Sequence, residues 1–454
     1  MTLAERLAAF AADLKFDDLP AAVVADVKLR ALDILGIALA ASAHEVGPPM
    51  RAGLESWAGR GECTVVGAKF TASVPIAIMI NGTLAHGLDF DDTHAPSVTH
   101  ASAVVIPTVL ALGEAGGLDG RAIITAAVAG YESIARIGMG APAAFHRQGW
   151  HATSVCGTFA SAVAAGVCER MDRAALTSAL GIAGSLASGL MEFLEDGSWV
   201  KRLHPGWAGQ AGATAAALAR AGFPGPATVL EGRYGLYRTF VSTDPDPRPF
   251  DTLGQTWETL NIGFKPYPAC HYLHAFLDCA LSLRETHRLE PDAIEAIECL
   301  VPPSGMPLVA EPYQVKLRPR TPYDAQFSLP YSVAAALVDG RVDLDTYAPE
   351  RLGDARVLAL ADRVTCRPDP DTTFPNGFPG WVRVRLTDGR TVEAREPDGR
   401  GGPARPLPAR AIVEKFRANA GRVLPAARVG EIERATLALD TLSDVRALMP
   451  LCRG

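Results

Sequence analysis

Residues 2 to about 222 carry almost no strand signal; alanine-rich segments with apolar side chains at helical spacing stand in its place, at 19–41, 101–114, 120–138, 152–170, 174–193 and 207–221. A chain whose apolar stripes recur every three to four residues, with no period-2 alternation, can bury them only against other helices. Small side chains on those stripes let helix axes approach closely. This half is therefore predicted to be a compact helical bundle, with Gly116-Gly117 and 222–225 as turns between elements.

The texture changes near Lys265. Residues 293–301 alternate in part, 381–386 alternate cleanly, and 391–394 complete a hairpin around Asp388-Gly389. Helical periodicity persists at 273–286 and 329–338, so this stretch reads as a smaller α+β domain. Beyond the loop-forming residues 398–403, two helices at about 409–423 and 429–448 are expected to return to the bundle. The expected organisation is a helical domain over 1–264, an α+β domain over 265–402 and C-terminal helices over 403–454. The fold class is mainly α.

A chain of 454 residues with 48% hydrophobic composition is long enough for two buried interiors. Its net charge of -7 is spread along the chain without a Lys/Arg block, which disfavours nucleic-acid and anionic-membrane partners. No apolar run approaches the roughly 20 residues that span a bilayer. The eight cysteines lack Cys-x-x-Cys or zinc-finger spacing, and the N-terminus lacks a basic, apolar, small-residue signal pattern. Reduced thiols and a cytoplasmic location are the expectation, and an iron-sulfur cluster is disfavoured.

Chemistry concentrates between Asn81 and His100, where His86, His94 and His100 share fifteen residues with Asp89, Asp91 and Asp92. Imidazole beside a tuned carboxylate exchanges protons near neutrality, the requirement of acid-base catalysis. The apolar spacing of Leu84, Leu88 and Phe90 suggests a helix running into a loop, with polar groups gathered at its end. Acid-base catalysis is the first reading and a Mg²⁺ or Zn²⁺ site the second; a capped helix end with solvated carboxylates is the bland alternative. No Glu-x-x-His or His-Glu-x-x-His spacing elsewhere supports the metal.

Four further groups are candidates. His151 directly precedes a small-residue helix, where it would face an anion or simply act as a cap. Cys156 is a weaker candidate, because nothing in the sequence stabilises its thiolate. Lys201, Arg202 and His204 stand before a helix expected to open at Pro205-Gly206, where they form either an anion site or a solvated basic loop; lysine is a compact point charge for a carboxylate. Residues 266–274 put a stiff proline turn ahead of a helix carrying His271 and His274, and Tyr331 stands at another helix start, where packing is its ordinary role.

Taken in order, these passages resemble the MmgE/PrpD family, whose members include 2-methylcitrate dehydratase, cis-aconitate decarboxylase and iminodisuccinate epimerase. The likeness rests on Asn81-Gly82 through Thr93, Gly149-Trp150-His151 with Gly157-Thr158, and Lys201-x-Leu203-His204. It continues through residues 265–270 with His274, residues 327–331, and Lys415-Phe416. The resemblance implies a helical domain built from both chain ends, an inserted α+β lid, a homodimer, and catalysis on a small di- or tricarboxylate with no cofactor and no metal. It places Asp89, His100, His151 and Tyr331 as catalytic groups, and Thr93, Lys201 and His274 as substrate contacts, with His271 at the edge of the site. In the decarboxylase branch a Trp follows Asp-Asp-Thr, and six positions separate that Thr from its His. Here His94 follows Thr93 and His100 lies seven positions on. Dehydration of a hydroxy acid is therefore the first expectation, ahead of epimerisation and of a cis-aconitate-type decarboxylation.

Overall fold

The computed structural model describes residues 1–374 and 377–454, and the chain divides into two units, Met1–Gly263 with Pro408–Gly454, and Phe264–Leu407. The first unit is helical. Its centre is the helix Ala152–Cys168, nearly every residue of which is buried, surrounded by Ala101–Gly116, Gly120–Met139, Arg173–Leu186 and Val200–Arg220. Glycines set the closest approaches. A Cβ on Gly212 would lie 2.0 Å from Ser161 Oγ, and one on Gly157 would lie 2.9 Å from a Val104 methyl, so any larger residue there would push helices apart.

Expected and observed helices differ at three places. The 174–193 segment ends its helix at Leu186, and the chain continues through Gly189, whose φ of 118° lies in a region that favours glycine. Basic residues 201–204 lie inside the helix Val200–Arg220 rather than in a loop before it. Pro205 removes one backbone donor without ending that helix. The last predicted helix is shorter, Ala426–Leu437, because the chain then tightens into 3₁₀ turns at Leu439–Thr441, Val445–Ala447 and Met449–Cys452. Both C-terminal helices belong to the first unit, where Ala409–Ala420 packs on Ala21–Ala43.

The second unit holds a four-stranded sheet in the order Val364–Pro368, Ile294–Val301, Gly380–Leu386, Thr391–Glu396, parallel in its first pair and antiparallel in the others. Gly389 turns the predicted hairpin with φ 89°. Helices His274–His287 and Leu329–Asp339 share one apolar core with the sheet, through Phe276, Leu277, Val333, Ile297, Val382 and Val384. Among the described residues no helix is long and apolar enough to cross a membrane.

Candidate active site

The helix Val74–His86 ends at His86, and the chain turns through Asp89, which sits at φ 49°. Aspartate tolerates this left-handed conformation better than most side chains. The turn aims its carboxylates in different directions. Both oxygens of Asp91 lie 2.8 Å from His86 Nδ1, so the carboxylate accepts the Nδ1 hydrogen and leaves Nε2 as the proton-accepting nitrogen. Asp92 faces the bundle instead, accepting from Arg30 Nη1 at 2.7 Å, from Ser102 N at 3.1 Å and from the Ser102 hydroxyl. Behind the turn, Lys415 Nζ donates to Asp33 at 2.9 Å and to the Phe90 carbonyl at 2.8 Å, and lies over the Phe90 ring. Burial pushes the Asp33 carboxyl up to about 6 and the Lys415 ammonium down.

Around His86 stand four more imidazoles. Ring centres separate His86 from His100 by 4.7 Å and from His151 by 5.9 Å; His151 in turn lies 5.1 Å from His204 and 6.0 Å from His146. His100 precedes the helix Ala101–Gly116, and its Nδ1 lies 2.9 Å from the Asp92 carbonyl, 3.3 Å from Thr93 Oγ1 and 3.9 Å from Asp91. His151 occupies the cap position of Ala152–Cys168 without capping it by its side chain, so the bland role suggested by its position is not the one it plays. Its Nδ1 meets His204 Nδ1 at 3.0 Å. Burial, reinforced by His204 and Lys201, holds His151 well below the usual imidazole range. Burial lowers His146 and His204 to about 4, with Lys201 adding to both shifts and His86 to that of His204. These three rings are neutral at physiological pH.

Lys201 supplies the buried cation, with Nζ 3.0 Å from Asp89 Oδ1. Its place is set by backbone contact between two helices. A Cβ on Gly82 would lie 2.7 Å from the Gly206 Cα, and one on Gly206 would lie 2.1 Å from the Met79 carbonyl oxygen. With no side chain between them, the helix carrying Lys201 and His204 lies directly against the one ending at His86.

The structure thus brings together Asp89, Thr93, His100, His151 and Lys201 from the predicted set. The solvated-loop alternative for Lys201 is corrected, since Lys201, Arg202 and His204 are all buried on the helix. Sequence reasoning gave no separate role to the His86–Asp91 pair, to His146 or His204 as members of the cluster, or to Arg30 and Lys415 as supports. His94, the residue that departs from the decarboxylase pattern, points elsewhere, with Nδ1 2.7 Å from Ser97 Oγ and Nε2 3.1 Å from Glu258. Cys156 is buried, and desolvation raises its thiol far above the range of a nucleophile. One ligand atom from each of His86, His100 and His151 lies within 4.8 Å of the other two; His86, Asp89 and Asp91 form a second such group.

The remaining predicted residues belong to the second unit. His274 Nε2 lies 3.1 Å from the Ala269 carbonyl, its ring stacks on His271 at 5.1 Å, and His271 meets Phe378 edge-on at 4.6 Å. Tyr331 is buried, and its hydroxyl lies 3.0 Å from the Thr346 carbonyl and 3.2 Å from that of Arg351. That is the packing arrangement its sequence position left open.

Residues 5–248 match the MmgE/PrpD N-terminal domain and residues 267–441 the MmgE/PrpD C-terminal domain. The chain is 28% identical to the cis-aconitate decarboxylase-like protein oryM of Aspergillus oryzae, covering 97% of this chain and 95% of that protein. It is 27% identical to a cis-aconitate decarboxylase of Aspergillus terreus, over 97% and 94% of the two chains. With the cis-aconitate decarboxylase of Homo sapiens it shares 30% identity, over 83% and 79%.

Proposed function

Since the chain belongs to the MmgE/PrpD family, we propose that it is a lyase acting on a small di- or tricarboxylate by general acid-base catalysis without an organic cofactor. The observation that carries this reading is the buried cluster of imidazoles around the His86–Asp91 pair, with the Lys201–Asp89 ion pair beside it. A substrate carboxylate is drawn to Lys201 and oriented by Thr93. His86 Nε2, backed by Asp91, takes a proton from the carbon next to a carboxylate, and the electron pair delocalises into that carboxylate. In a dehydration the pair then forms the carbon-carbon double bond as the hydroxyl leaves, protonated to water by His100 in its imidazolium form. Each proton-transfer group of this kind contributes roughly 10²–10⁴-fold in rate.

Decarboxylation is a second reading with specific support. The relatives above carry that activity in their names, and the two departures from the decarboxylase pattern are accommodated: His100 packs against Thr93 despite its seven-residue spacing, while His94 is occupied with Ser97 and Glu258. In that reaction the carbon-carboxylate bond breaks, CO₂ leaves, and His100, protonated from solvent beforehand, delivers that proton to the carbon that keeps the electron pair.

Nuclear magnetic resonance in D₂O with citrate, 2-methylcitrate, cis-aconitate, tartrate and aspartate-derived diacids separates these outcomes. A new alkene with loss of a hydroxyl identifies the dehydratase, and loss of CO₂ with one deuterium gained identifies the decarboxylase. Deuterium wash-in with inverted configuration would make the enzyme an epimerase, and no change in any substrate would overturn the proposal.

A further inference from the structure

We infer that the imidazole cluster is also a zinc site, in which one Zn²⁺ held by His86, His100 and His151 shuts the acid-base reaction off; the inhibitory half of this statement rests on the cluster being the catalytic site. The three rings come from separate parts of the chain, at the end of one helix and the starts of two others, yet one ligand atom from each lies within 4.8 Å of the other two. Tetrahedral zinc with Zn–N distances near 2.0–2.1 Å holds its nitrogens about 3.4 Å apart. Closing on an ion therefore requires shifts of at most about 1.4 Å, which rotation of the rings supplies.

The surroundings are those of a ligand set rather than of three loose rings. Each ring has a partner at Nδ1: Asp91 for His86 at 2.8 Å, the Asp92 carbonyl for His100 at 2.9 Å, and His204 for His151 at 3.0 Å. A carboxylate and a carbonyl are the outer partners that fix ring orientation and raise ligand basicity at metal centres, and the His204 ring fixes the orientation of His151. Three imidazoles select a borderline cation over Mg²⁺ or Ca²⁺, which prefer oxygen. Lys201, which bears the same sign of charge as the ion, is paired with Asp89 at 3.0 Å. The lone pairs that would bind the ion are those that take protons in the reaction, so occupancy and turnover exclude one another.

The test begins with full-length enzyme stripped by a chelator and titrated with Zn²⁺ against a chromogenic competitor, in the absence of any substrate. One zinc per chain is expected, with affinity reduced at least tenfold in His86→Ala and in His151→Ala. Retention of wild-type affinity by Cys366→Ser excludes capture by the half-buried thiol. Cobalt replaces the need for a well-folded variant, since Co²⁺ in the wild-type protein should give the visible spectrum of a tetrahedral nitrogen site. On a turned-over substrate, rate should fall in proportion to occupancy and return with chelator. No stoichiometric binding, binding lost with Cys366, or an octahedral cobalt spectrum would overturn the site. Turnover unaffected or raised by saturating zinc would overturn the inhibition. Zinc bound as described by a protein that turns over no polycarboxylate would leave the site standing and bring down the lyase reading alone.

Discussion

His151 Nδ1 lies 3.0 Å from His204 Nδ1, a spacing at which one nitrogen carries a hydrogen and the other accepts it. Two imidazolium rings would each present a hydrogen to the other, so the pair cannot take two positive charges in this geometry. The outward nitrogen of His151 is thereby tied to the state of a ring on another helix.

Acid should unfold this protein through these rings. His146 and His204 titrate near 4 when folded, against about 6.5 in an unfolded chain, so the unfolded state binds more protons throughout that interval. Stability is then lost as pH falls from about 6.5 toward 4, by at most about 1.4 kcal/mol per pH unit for each histidine. Urea unfolding should show a lower midpoint at about pH 5 than at about pH 7, and His204→Asn should narrow the gap. Equal midpoints would show that these rings do not resist protonation.

Lys201 and Asp89 should depend on each other for folding but not for activity. Removing the cation alone in Lys201→Met takes the ion-pair partner from a buried carboxylate, at a cost of about 3–5 kcal/mol. The double variant Asp89→Asn/Lys201→Met should recover most of the lost melting temperature while remaining at least a hundredfold below wild type in kcat/KM. Recovery of activity along with stability would remove Lys201 from substrate binding.

Asp91→Asn keeps the size of the side chain and removes its charge, so His86 loses the partner that fixes its tautomer and strengthens it as a base. Turnover should fall about 10²-fold with KM little changed, as expected for an outer partner of a reacting imidazole. A KM effect alone would assign Asp91 to substrate binding instead.

How much of this was legible in the sequence follows from the range of the interactions. Helical periodicity and the Asp388-Gly389 turn are local signals, and they correctly indicated a helical bundle and a small sheet. That a helix here runs into a loop was legible for the same reason, although it ends at His86, before Leu88 and Phe90. That Asp91 rather than Asp89 meets His86 was not, because it depends on a left-handed residue in the turn. Arg30 reaching Asp92, Lys415 reaching Asp33 and His204 reaching His151 join positions separated by 62, 382 and 53 residues, distances over which periodicity is silent. The predicted loop around Lys201 failed because Pro205 reads as a helix start, whereas here it sits inside one.

Gly206→Ala should be among the most damaging single-methyl changes in the bundle. The new Cβ would meet the Met79 carbonyl oxygen at 2.1 Å and Thr83 Oγ1 at 2.6 Å, forcing the two site-bearing helices apart. A loss of about 2–3 kcal/mol in stability is expected, with activity falling as well. Gly53→Ala, also in a helix but with nothing within 4 Å of its Cβ, should be neutral or stabilising by up to about 1 kcal/mol. Equal effects in the two variants would refute the close approach.

Tyr331→Phe separates packing from proton transfer. The single hydroxyl hydrogen is shared between two backbone carbonyls, so its loss should cost about 1 kcal/mol of stability and leave kcat within about threefold. A fall of 10² or more in kcat with unchanged melting would instead support the proton-carrying role that the family resemblance implies.

Lys415 gives the acidic turn a further property, one of timing. The residue that neutralises Asp33 and holds the Phe90 carbonyl is supplied by the segment that follows the second unit, long after the rest of the cluster has been translated. A nascent chain leaving the ribosome would therefore carry the histidines and aspartates as an unfinished, charged pocket through the synthesis of the whole second unit. The contacts of Lys415 with Asp33 and the Phe90 carbonyl form only after the second unit has been made, so this support of the turn is added after the groups it supports.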